Sequence, residues 1–200
     1  MRLFTRFGRR AALAIPGAVL VPRASRAQGV YTFDQGQARL EFVARHRAIF
    51  NSTGIFERFR ARVELEPGGT ERARVVVEVD TASATVAYPG GPAMLRSEPF
   101  FNSERFPTAR FTGQAGPTGT RDRYTVSGNL EIRGITKPIT MEARVTARRP
   151  VPTGGEDVEL SVTGEVKRSD FGMVGEMGVI SDIIRVTATV RLIVAVQRAG

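Results

Sequence analysis

The strongest constraint in this chain is a period of two. Ala38, Leu40, Phe42 and Ala44 alternate with Arg39, Glu41, Val43 and Arg45. Phe59, Ala61, Val63 and Leu65 repeat the pattern, and Ala73, Val75, Val77 and Val79 continue it. It returns at Tyr124–Ile132, Ile139–Val145, Val158–Val166 and Ile184–Val194. Strict alternation puts every second side chain on one face, the signature of half-buried antiparallel strands. With Thr108–Gly113 added, the spacing predicts about eight strands. Their single apolar face must be covered, and a sandwich or a closed barrel would serve. A barrel of about eight strands is just wide enough to hold one small elongated ligand. The opposite faces carry Arg58, Arg60, Arg62, Glu142 and Arg144. A lipid-embedded barrel would turn its apolar face outward, so these strands do not sit in lipid.

Turn residues separate the runs at Pro67-Gly68-Gly69, from Gly113 to Gly119, and from Pro152 to Gly155. One stretch, Tyr88 to Asn102, breaks the alternation with prolines that forbid a central strand. Within it Pro92 suits the start of one helical turn over Ala93–Ser97. Phe100, Phe101 and Phe106 then read either as a cap packed on the barrel end or as a lid over a cavity.

The charge balance has two parts. Over its 200 residues the chain carries a formal +9, which suggests a nucleic-acid partner. Six of its 29 basic residues, however, are arginines in the first 27 positions, where there is no acid. Arg2, Arg6, Arg9 and Arg10 precede an apolar run from Ala11 to Val21, then Pro22 and Ser25-Arg26-Ala27. That order is the layout of a secretory signal peptide, with cleavage expected after Ala27. The run is too short for a stable membrane span, which takes roughly 20 apolar residues. Residues 28–200 are expected to be one domain with 23 basic and 20 acidic residues, a net +3. These charges are interspersed, as in Glu57-Arg58 and Asp122-Arg123, and form no basic stripe, so no nucleic-acid partner is expected. With no cysteine there is no disulfide framework and no thiolate chemistry. A single histidine, His46, leaves no two-imidazole zinc site. No cofactor or metal motif stands out, and there is no G-x-S-x-G elbow.

The ordered motifs resemble the YceI family. Leu40-Glu-Phe-Val-Ala-Arg-His46 is similar to the family's first strand ending in His, and Thr53-Gly-Ile-Phe56 with Phe59 to its G-x-F-x-x-F segment. Ser97-Glu-Pro-Phe-Phe-Asn102 with Arg105-Phe-Pro107 and Phe111 resembles its Phe-Phe block. The most specific stretch, Gly128-Asn-Leu-Glu-Ile-Arg-Gly-Ile-Thr-Lys-Pro138, resembles G-x-L-x-I-x-G-x-T-K-P, and Lys167-Arg-Ser-Asp-Phe-Gly172 resembles x-R-S-D-F-G. Tyr31 stands where the family usually has Trp, and Pro92-Ala-Met-Leu95 replaces an Asp-x-His-Leu turn. The resemblance implies an all-β fold: one eight-stranded antiparallel lipocalin-like barrel with a short helical or loop cap, behind a cleavable signal peptide. It implies an exported periplasmic protein that sequesters or carries an amphiphile with an isoprenoid or fatty-acyl tail.

The expected cavity lining is Phe42, Phe59, Val77, Phe111, Tyr124, Leu130, Met141, Leu160 and Val190. Alternation alone cannot separate a hollow interior from a filled one. Small Ala61, Ala143 and Ala188 beside adaptable Met141 lean toward room. At the mouth, His46, Phe100, Phe101 and Arg168 are candidates for the ligand's head group. His46 also reads as a hydrogen-bonded structural residue, favoured because no second titratable partner is near in sequence. Arg168-Ser-Asp170 reads as a turn pinned by an Asp side chain, or as a phosphate clamp through Arg168. Two other functions compete: an adhesive or assembly module with a filled core, and a hydrolase. A homodimer is an open option, since barrel edges and loops can pair. Arg9-Arg10 before the apolar run suits either Sec or twin-arginine export. Replacing both by lysine is expected to trap precursor in the cytoplasm if the twin-arginine route is used; unaffected export in a cell-fractionation assay assigns Sec.

Overall fold

The computed structural model describes residues 29–47, 49–66, 71–152 and 156–194. The leader expected over residues 1–27 lies outside the described residues. Among the described residues, eleven strands form one antiparallel sheet. In chain order they are β1 (Val30–Phe33), β2 (Ala38–His46), β3 (Phe50–Phe56), β4 (Phe59–Leu65), β5 (Ala73–Asp80) and β6 (Ala84–Val86). A short helix α1 (Gly91–Arg96) precedes β7 (Thr108–Pro117), β8 (Arg123–Ile132), β9 (Ile135–Pro150), β10 (Glu156–Lys167) and β11 (Ile180–Val194). The spatial order is β1-β4-β5-β7-β8-β9-β10-β11-β2-β3-β6.

The expected all-β, antiparallel, lipocalin-like architecture is therefore present, with a short helical cap. The strand count is eleven and not eight. The three unforeseen strands carry no usable alternation: β1 has four residues, β6 has three, and β3 opens on Phe50-Asn-Ser-Thr. Pairing holds them in place, β1 to β4, β3 to β2 and β6 to β3. The ladder also has two ends, β1 and β6, so the sheet curls into a half-barrel without joining them by strand pairing. Chain connections cross the seam, through the Asp34–Gln37 turn from β1 to β2 and through Glu57-Arg58 from β3 to β4.

Among the described residues, the alternating apolar side chains fall on the concave face. At one end, which we call the capped end, the face packs against the cap, and many of the packed residues also line the cavity. Phe59, Val79, Ile132, Val166, Phe171 and Met173 form one cluster there, and Phe42, Ala84, Leu95, Phe100 and Ile180 another. Toward the other end buried Phe111, Val126 and Ala143 form a third cluster, and inward Val77, Tyr124 and Leu160 are half-buried around a cavity.

Four strand glycines explain how large side chains share this face without filling it. Phe42 lies flat across its cross-strand partner Gly54, Phe111 across the facing pair Gly113 and Gly128, and Met141 across Gly164. A methyl group at any of them would collide with the ring or thioether lying over it, the close approach that strand glycine permits. The outer face carries exposed pairs such as Arg58–Asp80 at 2.8 Å and Arg62–Glu64 at 2.6 Å. Such pairs contribute about 0–1 kcal/mol each and do not hold the fold together.

Gly128→Val is expected to destabilise the protein by about 1–3 kcal/mol, since the extra methyls overpack the site under Phe111. Urea denaturation measures this. Thr125→Val on the outer face of the same strand is expected to stay within about 0.5 kcal/mol of the unaltered protein.

Candidate functional site

The concave face encloses a cavity of about 590 Å³, within the range of small-molecule sites. All nine residues expected to line it do so: Phe42, Phe59, Val77, Phe111, Tyr124, Leu130, Met141, Leu160 and Val190. So do the four mouth candidates, His46, Phe100, Phe101 and Arg168, and the small residues Ala61, Ala143 and Ala188. The wall is aliphatic and aromatic along its length, with polar side chains gathered at its two ends.

At the capped end, His46 Nε2 and Ser52 Oγ lie 2.8 Å apart on the cavity wall. The pair arises because β2 and β3 run side by side, and the His46 ring also stacks on Phe50 at 4.5 Å. A hydroxyl against an imidazole could serve a nucleophile, but that chemistry also needs a third group orienting the ring. No partner of His46 Nδ1 is found among the described residues. The pair places a hydroxyl and an imidazole, both able to hydrogen-bond, on an otherwise apolar wall. Ser52 is not legible in the sequence, because β3 carries no strand signal.

The cap itself hangs on two arginines. Arg133 stands in the two-residue turn between β8 and β9, where Arg133 and Gly134 take φ of 54° and 72°, the turn type that matches strand twist. Its guanidinium donates to the carbonyls of Glu98 at 2.6 Å and Phe100 at 2.7 Å, tying the aromatic loop to the sheet. Arg168 is 3% exposed. It donates from Nε to Ser181 O, from Nη1 to Met173 O and Gly175 O, and from Nη2 to Ile180 O, at 2.6–3.1 Å. Those bonds occupy most of its donors, and the Phe100 ring lies 6.0 Å from its guanidinium carbon. Arg168 thus anchors the 173–181 loop, a structural use that leaves little for a phosphate.

The turn beside it is pinned by an Asp, as one reading of the motif has it, but by a different one. Asp182 accepts from Ser169 N at 2.9 Å and from Ser169 Oγ at 2.7 Å, whereas Asp170 faces Lys167 at 3.7 Å. Asp182 reaches back because β11 carries an irregularity: Ile180 pairs with His46 and Ile184 with Ala44, so extra residues loop out between them.

At the other end the sequence pattern missed Arg148. The β9–β10 register skips Thr146, pairing Val145 with Leu160 but Ala147 with Glu159. This bulge shifts the phase of β9, so Arg148 sits opposite inward-facing Val158 and lines the cavity. Its guanidinium binds Asp122 through Nε at 3.0 Å and Nη2 at 2.7 Å, and Glu156 through Nη1 at 2.9 Å. The β7–β8 and β9–β10 connections are thereby drawn together at the cavity rim. Tyr124 stands beside them, its phenol raised above the ordinary value by burial and, after that, by the Glu71 carboxylate.

Burial pushes the Asp182 carboxyl up, but hydrogen bonds from Ser169, with Lys167 and Arg168 nearby, outweigh it and hold the pKa below the usual range. A depressed folded-state pKa contributes stability above the unfolded value and loses it as pH falls through the folded one. Stability is therefore expected to fall on acidification below the ordinary carboxylate range, and Asp182→Asn to flatten part of that slope in urea titrations at stepped pH. Arg168→Met, which orphans several carbonyls at once, is expected to cost about 3 kcal/mol or more.

Comparison with known proteins agrees with this architecture. The model of the YceI-like domain family matches residues 31–192. The UPF0312 protein YE1254 of Yersinia enterocolitica is 29% identical over 176 residues, spanning 87% of this chain and 91% of that protein. A UPF0312 protein of Serratia proteamaculans is 29% identical over 177 residues, with the same coverage of 87% and 91%. Among solved structures, BcnA of Burkholderia cenocepacia superposes with a TM-score of 0.68 at 18% identity, covering 80% of this chain and 98% of that one. A polyisoprenoid binding domain from Saccharophagus degradans gives 0.54 at 15% identity, covering 85% and 100%. At such identities the structural likeness speaks for the fold alone. The family match spans nearly the whole described sheet, with the apolar cavity at its centre, and on it the chain belongs to the YceI-like domain family.

Proposed function

We propose that this protein binds an amphiphile with a long isoprenoid or acyl tail in the cavity, as a carrier or sequestering protein and not as an enzyme. The observation that carries this reading is the hollow, apolar interior of about 590 Å³. If a methylene takes about the ~30 Å³ of a liquid water molecule, the space accepts roughly twenty such groups. Each methylene removed from water contributes about 0.8 kcal/mol. Ten or more exceed the lower estimates of the association cost, about 4 kcal/mol, by several kcal/mol. No polar constellation along the wall is required, which fits a lining whose polar groups lie at the ends. The polyisoprenoid binding domain from Saccharophagus degradans, with the same fold, supports an isoprenoid as the tail.

In this reading Phe42, Phe59, Val77, Phe111, Tyr124, Leu130, Met141, Leu160 and Val190 contact the tail, and His46 with Ser52 offers a hydrogen bond to the head. Residues 1–27 act as the export signal and residues 28–200 as the binding domain, delivered to the periplasm. The cavity counts against the adhesive alternative with a filled core. The lack of a third group behind the His46–Ser52 pair among the described residues counts against the hydrolase.

Native mass spectrometry of freshly purified protein is expected to show a bound lipid mass, and displacement of a fluorescent prenyl probe to report uptake. Ala188→Phe places a ring in the lumen between Leu40 and Val162. It is expected to weaken probe binding about tenfold while leaving the urea midpoint nearly unchanged. Neither bound mass nor probe uptake by the unaltered protein would overturn the carrier reading.

A further inference from the structure

Ten large apolar residues stand exposed among the described residues, and they are unevenly placed. Only Val30, Leu65 and Ile193 lie toward the end with the Arg148 rim; the other seven are at or near the capped end. The most prominent are consecutive. Ile49 is 81% and Phe50 59% exposed, at the tip of the β2–β3 connection. The tip does not stand alone: Arg47 N donates to Val179 O at 3.0 Å, and His46 pairs with Ile180. These contacts bring the 173–179 loop alongside, with Met177 at 44% and Val174 at 58% exposure.

Charge accompanies the apolar tip. Arg45 and Arg47 line a second, shallow pocket with the backbone of 177–182. Neither makes an ion pair among the described residues. Two carboxylates are near. Asp182 is already engaged by Ser169, and Glu176 stands exposed on the loop, where it offsets part of the positive charge. The opposite end contrasts with this, since the rim arginine Arg148 is held by Asp122 and Glu156. Arg47 Nε donates to the Gly178 carbonyl at 3.4 Å, which leaves its charge without a counter-ion among the described residues. Apolar residues at a projecting tip, flanked by cations that make no ion pair, match an interface of acyl chains beneath anionic phosphates. The tip also adjoins the cavity. His46, stacked on Phe50, lines the cavity wall, as do Tyr88 and Met94 of the cap.

We propose that the capped end docks on an anionic lipid bilayer: Ile49 and Phe50 enter the boundary between head groups and acyl chains, and Arg45 and Arg47 meet lipid phosphates. Docked this way, the molecule holds its cavity wall at His46 and Tyr88 against the lipid surface, a route for a tail to pass inward. That route rests on the carrier reading; the docking itself does not.

The test is vesicle co-sedimentation of the purified protein, with its N-terminus identified by intact mass and common to all variants. Binding to phosphatidylglycerol-containing vesicles, weak on pure phosphatidylcholine, is expected. Arg45→Gln with Arg47→Gln should weaken it about thirtyfold, at about fivefold per arginine. Ile49→Ser with Phe50→Ser should weaken it at least tenfold. Thermal unfolding checks that each variant folds, and if the apolar pair fails to fold the arginine pair carries the test. Absence of vesicle binding, or binding indifferent to the variants, overturns the proposal. So does a dimer in analytical ultracentrifugation that Ile49→Ser with Phe50→Ser abolishes while vesicles bind nothing, which assigns the face to a second copy. Prenyl-probe uptake in vesicle-free buffer is expected to be unchanged in the arginine variant. Vesicle binding with no probe uptake by the unaltered protein supports the docking and overturns the carrier reading.

Discussion

The whole molecule turns on removing one apolar sheet face from water without filling the space behind it. A single curled sheet has no second layer to pack against, so its concave face must cover itself. Phe59, Phe171 and Ile132 pack into a core at the capped end, where Phe59 and Ile132 also line the cavity. Beyond them the wall is lined, not filled, because its largest side chains lie sideways over glycine. Phe111 across Gly113 and Gly128 shows the principle most fully. The ring stays on the wall because the pair beneath it offers no Cβ, and the volume it would have taken at the centre remains free.

The cost of leaving that space is met at the two ends. At the capped end Arg133 and Arg168 donate to carbonyls of segments that form no strand, which satisfies backbone groups that a sheet would otherwise pair. At the rim Arg148 collects Asp122 and Glu156. Neither set resembles catalytic machinery. Both fix the frame around an apolar interior, and the polar side chains that reach the cavity stand near its two ends. The docking face arises from the same economy of form. A cap that is held by buried Arg168 and half-buried Arg133 can leave its outer apolar residues uncovered without loss of the fold.

Much of this was legible in the residue pattern. Alternation in β2, β4, β5 and β8–β11 identified the inward face, and every residue chosen from it lines the cavity. Where the pattern failed, a local departure from period two was the reason. The bulge at Thr146 turned Arg148 inward, and no count of alternating residues registers a skipped position. Ser52 sits on a strand of polar residues that exists only through its neighbours β2 and β6. Asp182 replaced Asp170 as the acid of the turn, because a looped-out stretch of β11 brought a residue twelve positions further on into reach.

By itself, then, the sequence determined the class of fold, the face that is buried and the residue types that line it, because period two acts locally and leaves little choice of side. Only the tertiary structure decided that the interior is hollow. Volume depends on how far facing walls stand apart and on which side chains meet glycine across a strand pair, and both are set by the register and curl of the sheet. The open ladder, the arginine-held cap and the two polar poles were decided at that level too, since each joins residues that are distant along the chain.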